Sequence, residues 1–168
     1  MTDYLIAECG IRMLHARFVD AVFRKDEEDF GKCWAEDATW KIAGLQMETR
    51  AVIAPTFARL LAACARVQII TSPALLDIDA AKGTATGRIH CTELAKMGDG
   101  TSAMTLGVYY DRYVRVGEDW LFQFRHWGLH YRGPIDLSAD MVDSADFGSF
   151  PGMPGADEPT LTRRAPIV

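Results

Sequence analysis

The sequence predicts an α+β domain in which N-terminal helices pack against a cone-shaped, curved antiparallel sheet. Three observations carry this. Apolar residues recur at helical spacing through the first part of the chain. Four β-rich runs follow one another after Arg66. Short turn sequences, not helices, join those runs, and strands joined so tightly pair antiparallel.

Ile11, Leu14, Phe18 and Val22 lie three and four residues apart, on one face of a helix over about 2–25. The charged stretch from Lys25 to Asp29 breaks it. Phe30, Cys33 and Trp34 suggest a short second helix closed by Asp37, and 38–42 reads as a strand ending at Gly44. A third helix carries Ile53, Phe57, Leu60, Leu61 and Cys64 on one side; it should begin just before Pro55, since proline is best tolerated in a first turn. The β-rich runs cover about 67–77, 83–94, 102–116 and 120–131, separated by turn signals at 79–83, 98–100 and 117–119. Strands of this length exceed the usual five or so residues, and long strands twist and bend. A bent sheet has a concave face where the apolar helix faces can be buried, leaving a single cavity at the wide end.

At 168 residues, 49% hydrophobic and 24% charged, the chain has the balance of one globular domain. The net charge is −5 and the basic residues are scattered, so no nucleic-acid footprint is visible. Cys9, Cys33, Cys64 and Cys91 have no CxxC spacing and sit in apolar runs, which reads as reduced thiols of a cytoplasmic protein without a zinc site. No metal or other cofactor is expected. His126 and His130 would share a helix face, but on a strand they stand about 13 Å apart, too far to hold one ion. The first ten residues do not read as a signal peptide, and no apolar run approaches the length of a membrane span. After Gly133 the composition changes, with Pro134, Pro151, Pro154, Pro159 and Pro166 making up five of the seven prolines. The expected organisation is a domain over 1–134 and a Pro/Gly-rich arm over 135–168. Phe147, Phe150, Met153 and Leu161 make that arm too apolar for a free linker, so it should lie on a neighbouring subunit or over the cavity mouth.

Two stretches carry a family resemblance. Residues 14–44, LHARFVDAVFRKDEEDFGKCWAEDATWKIAG, are similar to the helix–helix–strand opening of the scytalone dehydratases and hexachlorocyclohexane dehydrochlorinases. Residues 106–134, LGVYYDRYVRVGEDWLFQFRHWGLHYRGP, contain Gly-x-Tyr-x-Asp, a turn, then Trp and Arg, a pattern recurrent in SnoaL-like domains. Over about residues 5–134 the chain thus resembles the SnoaL-like, or nuclear transport factor 2-like, superfamily. The resemblance implies that family's α+β barrel and a small-molecule pocket. It also implies elimination, isomerisation or hydrolysis of small rings without metal or cofactor. The two enzyme groups named use a carboxylate on the first helix with a histidine on the first long strand. Those positions fall here on Phe23 and Ile69, neither of which can move a proton, so that dyad is expected to be absent.

Alternation suggests the pocket wall. Leu121, Gln123, Arg125, Trp127 and Leu129 share one face of the last strand; Thr105, Gly107, Tyr109, Asp111 and Tyr113 share one face of the strand before it. A three-residue turn sets Tyr109 opposite Trp127 and Asp111 opposite Arg125, and extends the wall to Ile89 and Cys91. A one-residue slip would reverse every side chain. The expected cavity is bounded by Phe18, Phe23, Trp40, Phe57, Ile69, Cys91, Tyr109, Arg125 and Trp127. Arg125 could stabilise a developing anion, although a cross-strand ion pair with Asp111 is the plainer role. Tyr109 could donate to a carbonyl, or simply form wall. Asp20 could be a base at the rim, or belong to a solvated helix face. Cys91 has no activating base beside it, and His90 points to the opposite face.

Two readings follow. One is a cofactor-free lyase or isomerase acting on a small apolar or aromatic ring compound. The other is a non-catalytic ligand-binding or accessory subunit, as in ring-hydroxylating dioxygenase β subunits. A homo-oligomer, trimer or dimer, is expected in either case, because Val108, Tyr110, Val114, Phe122 and Phe124 would leave the convex face apolar.

Overall fold

A computed structural model describes residues 2–141. Helix α1 (Thr2–Arg24) and the short α2 (Glu27–Lys32) are followed by β1 (Trp34–Ile42), β2 (Leu45–Glu48) and α3 (Arg50–Ala62). The rest of the sheet is β3 (Cys64–Thr71), β4 (Leu75–Asp79), β5 (Thr84–Met97), β6 (Ser102–Val116) and β7 (Asp119–Gly133). Strand order is β2-β1-β7-β6-β5-β3, with β4 alongside β5. The sheet is curved and unclosed. All its pairings are antiparallel except β1 with β7, which run parallel. The α1 face bearing Ala7, Ile11, Leu14, Phe18 and Val22 is buried against the concave side, as the periodicity requires.

The β5–β6–β7 meander has the expected register: Ile89 pairs with Tyr109, Tyr109 with Trp127, Cys91 with Gly107 and Asp111 with Arg125. The final turn is shorter than expected, because Val116 pairs directly with Asp119 and leaves two loop residues. Gly117 takes a φ of +62° there, which glycine adopts without the Cβ clash of other residues.

Several expectations need correction, among them Cys64, which is the first residue of β3 and not part of α3. Trp34 belongs to β1, not α2. Asp26 caps the helix, its carboxylate accepting from Asp29 N at 2.9 Å. The chain then leaves at Cys33, whose carbonyl accepts from Phe122 N, and Trp34 is buried among Phe30, Trp40 and Phe122. Helix α3 starts at Arg50, five residues ahead of Pro55, and forgoes the bond that residue 55 would donate to Ala51. The run over 67–77 is two strands, because Pro73 has no N–H to donate. β3 pairs with the second half of β5 and β4 with the first. The strand β2 left no signal that alternation could separate from a loop.

The convex face is another. Phe122 is in the core, and Val108, Tyr110 and Phe124 are buried as well. The register slips between Arg112 and Tyr113, so Gln123 is an extra residue and Phe122 turns inward opposite Tyr113. On the outer side, Arg112 lies 4.4 Å and Lys41 5.9 Å over the Phe124 ring. The apolar patch expected to drive self-association is therefore not exposed. Of the C-terminal arm, only 135–141 falls within the described residues; Met141 forms an isolated bridge to Tyr131. Phe147, Phe150, Met153 and Leu161 lie outside them.

Candidate functional site

The concave face is organised as cross-strand rows. One row carries Asp111 and Arg125. These two form a buried bidentate ion pair, with Arg125 Nε donating to Asp111 Oδ1 at 2.7 Å and a terminal nitrogen to Oδ2 at 2.8 Å. The guanidinium is surrounded by the rings of Phe122, Tyr109 and Phe18, at 3.9, 4.0 and 4.4 Å from their centroids. Burial, the largest single influence, disfavours its charge, but the attraction and hydrogen bonds of Asp111, with smaller contributions from Tyr109 and Tyr113, together raise the pKa of Arg125. Tyr113 donates to Asp111 Oδ2 at 2.9 Å.

His15 of α1 closes this network, with Nε2 at 2.9 Å from the Tyr113 hydroxyl and Nδ1 at 3.3 Å from Arg125. Arginine can only donate, and the Tyr113 proton is already committed to Asp111. The arrangement therefore requires neutral imidazole, Nδ1 accepting and Nε2 donating. Burial first, and then the Arg125 charge, lower the His15 pKa to about 3, against a smaller upward pull from Asp111. The unfolded chain binds this proton with an ordinary pKa near 6.5. The stabilising contribution is thus complete above about pH 6.5 and is lost as pH falls toward 3. Replacing His15 by Gln should make the loss of unfolding free energy between pH 7 and pH 5 smaller by about 2 kcal/mol. Urea titrations of both proteins at the two pH values measure it; equal losses would show that His15 protonates in the folded state.

Beyond this network, toward the ends of the helices, is a partly enclosed cavity of about 410 Å³. Its wall includes Phe18, Phe30, Trp40, Phe57, Tyr109 and Trp127, and its polar residues include Glu93, Thr105 and Arg132. Phe30 and Phe57 stack face to face at 3.7 Å, holding α2 against α3. Trp127 packs on Tyr109 at 4.5 Å. It also lies over Gly107, where a Cβ would fall 2.5 Å from its ring, so only glycine leaves room for this wall. Burial holds the Tyr109 phenol well above its ordinary pKa.

Six of the residues expected around the cavity line it: Phe18, Trp40, Phe57, Ile69, Tyr109 and Trp127. Arg125 does not; it is behind Tyr109, committed to Asp111. Cys91 is in the core on the Gly107 row, and burial pushes its thiol up to about 12. Phe23 is exposed and lines a second, more open groove of about 530 Å³ between α1 and β3–β4, with Asp20, Arg12, Gln68 and Ile69. The single expected cavity is thus two depressions that share Ile69. Asp20 accepts from Arg24 Nε at 2.9 Å on the exposed side of α1. Two cavity residues were not singled out from the sequence: Glu93, although it continues the Ile89–Cys91 face of β5 and alternation could have found it, and Arg132, which alternation puts on the other face. A second slip between Leu106 and Gly107 leaves His130 extra, turning Tyr131 outward and Arg132 inward opposite Thr105. No group of three or more His, Cys, Asp or Glu side chains able to hold a metal ion occurs among the described residues, and no described helix is long and apolar enough to cross a membrane.

The fold is that of several solved structures. A hexachlorocyclohexane dehydrochlorinase (LinA type 2) superimposes with a TM-score of 0.73 at 20% identity, over 80% of this chain and 92% of its own. A protein of Novosphingobium aromaticivorans provisionally named a scytalone dehydratase gives 0.73 at 15%, over 79% and 91%. Another from the same species, provisionally named an aromatic ring hydroxylase, gives 0.69 at 16%, over 79% and 96%. Comparison with the curated proteins found no match. The family model for the SnoaL-like domain matches residues 3–126, which include α1, the cavity wall as far as Tyr109 and the Asp111–Arg125 pair. The chain belongs to the SnoaL-like domain family.

Proposed function

We propose that this chain binds a small apolar or aromatic ring compound in the partly enclosed cavity and acts on it as a lyase or isomerase, without metal or organic cofactor. The observation that carries the reading is the cavity itself, about 410 Å³ walled by six aromatic side chains with a few polar groups at one end. That is the character of a small-molecule site. Tyr109 serves as a hydrogen-bond donor, kept protonated by burial. Arg125 supports it from behind, and its charge reaches the ligand only through the Tyr109 ring. The Asp20 carboxylate lies in the outer groove, paired with Arg24, and would serve only a ligand bound there, not one in the cavity. A dehydrochlorinase and a provisional scytalone dehydratase among the structures of this fold favour elimination as the reaction class.

Trp40 and Trp127 make binding directly measurable. Titration with 2-naphthol should change tryptophan fluorescence saturably, with one site per chain. No saturable change up to the solubility limit of the probe would overturn the reading.

A second reading, a non-catalytic binding or accessory subunit, is favoured by Phe23 and Ile69 standing where the related dehydratases carry acid and base. A fold neighbour provisionally named an aromatic ring hydroxylase fits it. Self-association as a dimer or trimer and a cytoplasmic location with four free thiols complete the proposal. Sedimentation of the full chain at micromolar concentration tests association; a monomer there removes it.

A further inference from the structure

We infer that Glu93 is the proton-transfer group of the cavity, removing a proton from the bound ring compound while Arg132 attracts the anion or leaving group that results. This rests on the cavity reading above and adds to it the acting residue. Glu93 is the one carboxylate among the described residues that line the cavity. It stands in a single cross-strand row, between Ile69 of β3 and Thr105 of β6, and Thr105 in turn pairs with Arg132 of β7. The side chains of that row form one end of the aromatic enclosure.

Asp111 is held by a guanidinium at hydrogen-bond distance. Glu93 has no such partner among the described residues, so its lone pairs remain available. Around it, Arg132 lies on β7, Tyr109 on β6, Cys91 on its own strand and Cys64 on β3; Lys25, after α1, donates to the Cys64 carbonyl. The two thiols and the phenol are held above their ordinary pKa values and are neutral near pH 7. Burial likewise raises Glu93, and Arg132 only partly opposes this. A carboxylate of increased basicity in an apolar enclosure is suited to accept a proton from carbon.

In an elimination, the Glu93 carboxylate takes the proton from carbon. The C–H electron pair becomes the new double bond, and the leaving group departs with its own bonding pair toward Arg132. In an isomerisation, the same proton returns to a different carbon. Neither course needs an oxidant, a reductant or a co-reactant.

The test uses 5-nitrobenzisoxazole, a small aromatic probe that reports a base in an apolar site. Removal of its C3 proton turns the C–H pair into a nitrile bond and breaks N–O, and the coloured phenolate leaves with the N–O pair. Wild-type protein should open the ring faster than acetate at equal concentration. The rate should rise with pH through an inflection above the ordinary glutamate range. Glu93→Gln should lower the rate by about 10²-fold, Glu93→Asp should retain part of it, and 2-naphthol should bind Glu93→Gln as it binds wild type. If 2-naphthol binds wild type but the ring is opened no faster than by acetate, or if Glu93→Gln keeps the rate, the assignment is overturned while the cavity reading stands. If 2-naphthol does not bind wild type, both fall. Should Glu93→Gln lose its circular-dichroism melting transition, the wild-type inflection and the rate of Glu93→Asp decide: an inflection within the ordinary range, or an unchanged rate, overturns the assignment.

Discussion

Asp111→Ala should lower the unfolding free energy by about 3–5 kcal/mol. The carboxylate is fully buried and accepts two bonds from Arg125 and one from Tyr113. Its loss leaves a guanidinium among Phe18, Tyr109 and Phe122, away from water and without a counter-charge. The surrounding rings attract a cation by about 2 kcal/mol or less each when desolvated, which offsets the penalty only in part. The buried charge, more than the lost hydrogen bonds, makes the effect large. Asp111→Leu combined with Arg125→Met should therefore be more stable than Asp111→Ala, because it removes both charges and fills the space. Denaturant midpoints of the three proteins measure the order. A double variant no more stable than Asp111→Ala would show that the pair stabilises through its hydrogen bonds.

Phe30→Ala should cost about 3–5 kcal/mol, the usual range for deleting a buried aromatic ring. Phe30 is fully buried, stacks on Phe57 at 3.7 Å and packs tilted on Phe18, Trp34 and Trp40. It is the only large apolar side chain that the six-residue α2 buries, so without it α2 has little to hold it against α3. The ring also lines the cavity, and removing it enlarges the apolar space. Loss of stability should therefore come with weaker 2-naphthol binding, since the ligand loses a wall. Calorimetry and fluorescence titration on the same preparation test both. A stability loss below about 1 kcal/mol would mean that α2 and α3 close over the space.

Much of the fold was legible because its signals are local. The α1 stripe of Ile11, Leu14, Phe18 and Val22, and the turn glycines of the meander, each depend on residues close in sequence. Counting outward from a three-residue turn gave the pairing of Tyr109 with Trp127 and of Asp111 with Arg125; the turn has two loop residues, and the pairings hold because the extra residue Gln123 shifts the register back by one. The SnoaL-like family was legible on the same stretches. The cavity was legible where helix face and strand parity agreed, at Phe18, Trp40, Phe57, Ile69, Tyr109 and Trp127.

Other features depended on residues distant in sequence. Each bulge in β7 changes parity, and neither Gln123 nor His130 differs from its neighbours in a way that marks it as the extra residue. Phe122 therefore moved from the outer face to the core, and Arg132 moved into the cavity row. Two other misplacements came from the helix side. Whether Phe23 faces the cavity or the outer groove depends on where β3 crosses α1, and Trp34 left its helix for a place among Phe30 of α2, Trp40 of its own strand and Phe122 of β7. The sequence alone determined the main helices and the antiparallel meander, because residue spacing sets periodicity and short turns force neighbouring strands to pair; the Asp111–Arg125 pairing also needed the Gln123 bulge, which makes up for a turn one residue shorter than expected. That Arg132 joins Glu93 and Thr105 at the cavity was decided by the tertiary structure, because a single bulged residue reverses every side chain beyond it.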